Sequence, residues 1–100
     1  MIDFDLINRA AIANFPAVLA RILPDGRSIG PEWVARNPKR DDKRPGSFKV
    51  NLRSGRWSDF ATGDKGGDPV SLVAYLEGVQ QLQAARLLGQ MLGIAEVAHG

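Results

Sequence analysis

Cysteine is absent from the 100-residue chain, and histidine occurs once, at His99. Disulfides are therefore excluded, and so are thiolate zinc sites. A single imidazole next to the last residue cannot complete a metal site from this chain alone. No metal or other cofactor is expected. The chain also lacks an apolar run of the roughly 20 residues needed to span a bilayer. Its N-terminus carries Asp3 and Asp5 where a secretory signal would place positive charge. The expectation is a cytoplasmic protein with no membrane partner. No Ser-His-Asp set, paired glutamates or other general acid and base arrangement can be assembled. No catalytic residue is assigned, and a stand-alone enzyme is not expected.

What is present argues for a folded domain with a one-sided charge. Hydrophobic residues make up 44% and charged residues 24%, a composition ordinary for a globular protein that argues against disorder. The net charge of +2 conceals an asymmetry. Between Arg27 and Arg56, nine basic residues stand against only Glu32, Asp41 and Asp42, while acids predominate in the flanks. A basic middle is an electrostatic footprint, and polyanions are its natural partner; a merely solvated basic surface is the plainer alternative.

Asp3 can cap a first helix running to about Ala13, with Phe4, Ile7, Ala11 and Leu6 as its apolar stripe. Asn14 as cap and Pro16 in the first turn restart the pattern for a second helix carrying Val18, Leu19, Ile22 and Leu23, which Pro24-Asp25-Gly26 ends. Glu32-Trp33-Val34-Ala35 reads as a short strand, and Asn37 to Pro45 as a charged loop. Phe48, Val50 and Leu52 alternate with Lys49, Asn51 and Arg53, the period of a half-buried strand. After Thr62 to Gly67, a glycine-rich loop, Asp68-Pro69 opens a helix that Gly78 closes. A last helix spans about Gln81 to Leu92, with Leu82, Ala85, Leu88, Met91 and Leu92 on one face. The order predicts a single α+β domain: a helical hairpin over 1–26, a small antiparallel sheet over 27–62, and two packing helices over 68–94.

Ser54-Gly55 is expected to be a two-residue turn, with Arg53 opposite Arg56, Leu52 opposite Trp57 and Lys49 opposite Phe60. One face then carries Phe48, Val50, Leu52, Trp57 and Asp59, a core face with a carboxylate in it. The other carries Lys49, Asn51, Arg53, Arg56, Ser58 and Phe60. Cations for phosphates beside an aromatic ring for base stacking is the composition of single-strand binders. Phe60, at the strand end, has a second reading as a ring tucked under the terminal helices. Arg53 facing Arg56 is a repulsive pair that a bound anion would relieve.

Two other features carry less. The glycine-rich loop lacks the Gly-Lys-Ser/Thr ending of a phosphate loop, and Asp68 as a cap competes with any anion at the following helix N-terminus. Asp41-Asp42 is flanked by Arg40, Lys43 and Arg44, which neutralise it more readily than a magnesium ion would.

From Asn37 to Ile94 the chain resembles the zinc-binding domain at the N-terminus of bacterial DNA primases. The resemblance rests on Asn37-Pro38-Lys39-Arg40, Pro45-Gly46-Ser47-Phe48-Lys49-Val50, Trp57 through Gly63, Gly66-Gly67-Asp68 and Met91-Leu92-Gly93-Ile94. It is similar, more closely, to N-terminal segments of primase/helicase-type proteins of phages, plasmids and integrated elements. The likeness implies a zinc-ribbon framework, a role in DNA replication and primer synthesis, and a longer parent protein. It also implies that the four zinc-ligand positions map onto Asn37, Arg40, Asp59 and Thr62, so the ribbon here is zinc-free. Those four are expected to form a polar cluster in the metal's place. The expected function is a non-catalytic module presenting single-stranded DNA. Arg44, Lys49, Arg53, Arg56 and Phe60 are its main contacts, and Lys39, Lys43 and Lys65 its outer phosphate contacts. The alternative is a protein-interaction domain that docks onto a helicase or polymerase.

Overall fold

The computed structural model describes residues 2–39 and 46–94. Helix α1 runs Phe4–Ala13, and the Asp3 side chain caps it by accepting from the Leu6 N–H at 3.0 Å. Helix α2 runs Phe15–Ile22, with Pro16 in its first turn where a missing N–H costs nothing. Asn14 stands between them, but its side chain makes no cap; its Nδ2 donates back to the Ala10 carbonyl.

Five strands follow: β1 Arg27–Ile29, β2 Glu32–Ala35, β3 Phe48–Asn51, β4 Trp57–Asp59 and β5 Lys65–Gly66. They form one antiparallel sheet in chain order, β1 to β5. Helix α3, Pro69–Glu77, and α4, Gln81–Met91, complete an α+β fold. β1 and β5 add to the expected sheet. β1 exists because Gly30 takes φ 58°, which lets Gly30-Pro31 join Ile29 to its partner Glu32 in two residues. β5 lies inside the glycine-rich stretch, because Ser58 and Trp57 pair with Lys65 and Gly66.

Alternation divides the sheet into two faces. The inner face presents Trp33, Ala35, Phe48, Val50, Trp57 and Asp59, all buried. Phe48 stacks on Trp57 at 5.9 Å, and Tyr75 of α3 tilts against Trp57 at 4.7 Å. Both indoles find acceptors: Trp33 Nε1 donates to the Leu23 carbonyl and Trp57 Nε1 to the Ser71 hydroxyl. Helices cover this face, and Phe15, Leu19, Leu23, Leu72 and Leu88 complete the core. A Cβ on Gly66 would run into the Trp57 indole and lie 2.6 Å from the Ser71 hydroxyl, so the strand beside this ring has room only for glycine.

Four helical and loop expectations need correction. Phe4 and Leu6 are exposed while Ile7 and Ala11 alone of the α1 stripe are buried. Leu82 is exposed as well, since α4 turns Leu88 inward together with Ala84, Ala85 and Gly89, three small residues that let its backbone approach α1 and α3. The 54–55 turn is wider than expected. Asn51 Oδ1 accepts from the Arg53 and Ser54 N–H groups, and its carbonyl accepts from Gly55 N–H. These bonds close a four-residue loop, Leu52–Gly55, in which Gly55 takes φ 80°. Pairing therefore runs Val50 with Trp57, Lys49 with Ser58 and Phe48 with Asp59, two residues from the expected register. A two-residue slip preserves which face each side chain takes, whereas a slip of one would have inverted it. Leu52 leaves the strand and donates its N–H to the Pro31 carbonyl.

A candidate nucleic-acid interface on the open face of the sheet

Register puts one row of residues straight across the outer face. Arg27 pairs with Val34, Val34 with Lys49, Lys49 with Ser58, and Ser58 with Lys65. Cations thus stand on the first, third and fifth strands, about 10 Å apart given strands spaced about 4.8 Å. A second row runs Ile29, Glu32, Asn51, with Arg56 beyond, since Asn51 N–H donates to the Arg56 carbonyl at 2.7 Å. The rows border a groove of about 320 Å³ lined by Lys49, Arg56, Lys65, Glu32, Asn51 and Ser58, among others. A second groove of about 290 Å³ continues past Lys49 to Arg27 and Ile29.

Phe60 lies on the same face. Its N–H donates to the Ser47 carbonyl, its side chain is 71% exposed, and Lys49 Nζ sits 5.5 Å from the ring centroid. The ring is not tucked under the terminal helices. An exposed phenyl with an ammonium against it keeps both a π-face for stacking and a charge for a phosphate. Among the described residues, Lys49, Arg53, Arg56 and Lys65 make no ion pair, whereas Arg36 is committed to Asp25 at 2.6 Å.

The structure brings together Lys49, Arg56, Lys65 and Phe60, and adds Arg27. Arg53 sits in the loop and does not oppose Arg56, so the repulsive pair inferred from the narrower turn does not exist. Lys39 is drawn elsewhere: its Nζ lies 5.2 Å from the Tyr75 ring centroid. Lys43, Arg44 and the adjacent Asp41-Asp42 lie outside the described residues. Arg27 was recognisable as part of the basic segment, but its place depended on β1, for which Gly30-Pro31 was the only signal.

Behind the sheet, Asn37 and Asp59 are fully buried together. Asn37 Nδ2 donates to Asp59 Oδ2 and to the Tyr75 hydroxyl, both at 2.8 Å, and Ala61 N–H donates to Asp59 Oδ1 at 2.9 Å. The Tyr75 hydroxyl donates to Asp64 Oδ2 at 2.7 Å. The expected cluster is therefore real for Asn37 and Asp59, with Tyr75 and Asp64 as members the sequence reading missed. Thr62 contributes backbone: its N–H donates to the Asp59 carbonyl while its side chain accepts from Asp64 N–H. Arg40 lies outside the described residues. This donor set does not fit zinc, because an amide N–H points at the Asp59 carboxylate, the Tyr75 hydroxyl donates to that of Asp64, and neither sulfur nor imidazole is at hand. Burial pushes the Tyr75 phenol above its ordinary value of 10.0; Asp64 and Asp59 add to this, and the bond from Asn37 opposes it.

The N-terminus of α3 is already satisfied. Asp68 Oδ1 accepts from Ser71 N–H at 2.8 Å in a capping box, and Asn8 Oδ1 accepts from Val70 N–H at 2.9 Å. An anion would have to displace both. Among the described residues no helix is long and apolar enough to cross a membrane, and no group of three or more metal-binding side chains occurs. Neither a family model nor a curated protein matches the chain.

Proposed function

We propose that the protein is a non-catalytic nucleic-acid-binding module of primase zinc-ribbon-like type, which presents single-stranded DNA during primer synthesis in a mobile element. One observation carries the reading: the cations Arg27, Lys49 and Lys65 stand in a single cross-sheet row, with the exposed Phe60 ring beside Lys49. Among the described residues these cations form no ion pair, so intramolecular pairing does not account for their alignment. A strand of phosphates does, and a ring at the row's margin offers one base a stacking platform. The primase-like motifs support the replication context, and that work belongs to the cytoplasm. A helicase or polymerase domain is the natural recipient of the presented strand.

Fluorescence anisotropy with labelled oligonucleotides at low salt tests the proposal. Single-stranded DNA should bind more tightly than a duplex of the same length. Lys49→Glu with Arg56→Glu should abolish binding while leaving the thermal midpoint within a few degrees. Absence of binding by any oligonucleotide at low salt would eliminate the reading and leave docking onto an acidic protein surface as the use of this face.

A further inference from the structure

Glu32 is out of place on this surface. It is half-buried, lines both grooves, and stands directly opposite Asn51 in the middle of the cationic face. Lys49 and Arg56 line the same groove, yet among the described residues Glu32 forms no ion pair with either. A carboxylate here opposes phosphate binding, and no described cation holds it in an ion pair. Asn51 is fixed beside it. Two loop N–H groups hold its Oδ1, which settles the amide orientation and leaves Nδ2 as the free donor. Residues directly opposite in an antiparallel pair have Cβ atoms about 5 Å apart, close enough for both to reach one planar group.

We infer that Glu32 and Asn51 form a base-reading pair in the floor of the groove, selecting a base that offers adjacent N–H donors, with guanine preferred. The inference rests on the single-strand reading above and adds a specificity determinant to it. A carboxylate only accepts, and its two oxygens match two parallel donors. Guanine presents N1–H and N2–H side by side, and its O6 next to them can take the Asn51 Nδ2 donor. Cytosine and adenine each offer one amino group flanked by an acceptor. Thymine and uracil offer one N–H between two carbonyls, which a carboxylate repels. The surrounding cations then hold the backbone while the carboxylate faces the base edge.

The test is competition anisotropy with eight-nucleotide thymidine oligomers carrying dG, dC, dA or dT at one central position. The dG oligomer should bind about tenfold more tightly than all-dT, within the range for a good bidentate contact. Glu32→Gln should reduce that preference to less than about threefold and strengthen all-dT binding, since a repulsive charge is gone. Glu32→Asp keeps the charge but retracts the carboxylate, and should give an intermediate preference; near-ultraviolet dichroism of the buried tryptophans checks that both variants fold. Equal affinities for all four oligomers, or a dG preference that survives Glu32→Gln, would overturn the base-reading pair alone. Failure of every oligomer to bind would remove the underlying single-strand reading as well.

Discussion

The two faces of the five-stranded sheet treat charge in opposite ways. On the inner side, Asp59 is fully buried and both its oxygens accept hydrogen bonds, from Asn37 Nδ2 and Ala61 N–H. On the outer side, Lys49, Arg56 and Lys65 stand in a groove with no ion pair among the described residues. Burial explains the first arrangement, since a buried carboxylate without donors is strongly unfavourable. It cannot explain the second, where water would solvate the cations wherever they stood. Polar order behind the sheet is accounted for by burial alone, while polar order in front of it is what the proposed single-strand contact would use.

Asp59→Ala should break the comparison hardest. It strands the Asn37 amide and Ala61 N–H in the interior, for a loss on the order of 3 kcal/mol at 1–3 kcal/mol for each unmet donor. Thermal melting should show a midpoint lowered by more than about 10 °C. A midpoint equal to wild type would mean that the cluster is dispensable.

Gly66→Ala comes next. The added methyl meets the Trp57 indole and the Ser71 hydroxyl, so about 2 kcal/mol should be lost by overpacking, read by urea unfolding. A neutral result would show that β5 can move away from the ring. Because β5 carries Lys65, the same variant should also weaken binding of single-stranded DNA.

Tyr75→Phe is smaller, about 1 kcal/mol, because Asn37 keeps Asp59 as an acceptor. Its pH dependence gives a sharper signature. The folded-state phenol titrates above its unfolded value, so its contribution is intact below about pH 10 and is lost as pH rises through the raised value. Urea unfolding between pH 8 and 11 should show wild type losing stability at the alkaline end more steeply than the variant. Parallel curves would contradict the network. The smallest effect belongs to Arg53→Ala: Arg53 lies in the 52–55 loop, outside the cross-sheet row, and its loss should reduce DNA affinity less than about threefold.

Much of the inner face was legible in the sequence, because burial leaves a periodic imprint. Alternation at Phe48, Val50, Trp57 and Asp59 identified the core side, and it survived a register wrong by two residues, since a slip of two keeps every side chain on its face. The helix caps at Asp3 and Asp68 were readable from residue type alone, and the structure matches them. What could not be read were long-range relations. Asn51 closing the loop through its side chain, Tyr75 reaching Asn37 from a helix 38 residues away, and Arg27 joining a row through β1 all depend on tertiary placement. Exposed positions such as Phe4, Leu6 and Leu82 misled for a related reason: helical period shows a stripe, but neighbouring elements decide how much of it is covered.

The most direct measurement is the salt dependence of single-stranded DNA affinity for wild type and for Lys49→Ala/Lys65→Ala. Wild type should give a log-log slope of about 2 to 3 in magnitude, from three to four neutralised phosphates at about 0.7 each, and the double variant a slope lower by about 1.4. A slope left unchanged when two of the aligned cations are removed would contradict the claim that the outer face of the sheet holds the phosphates.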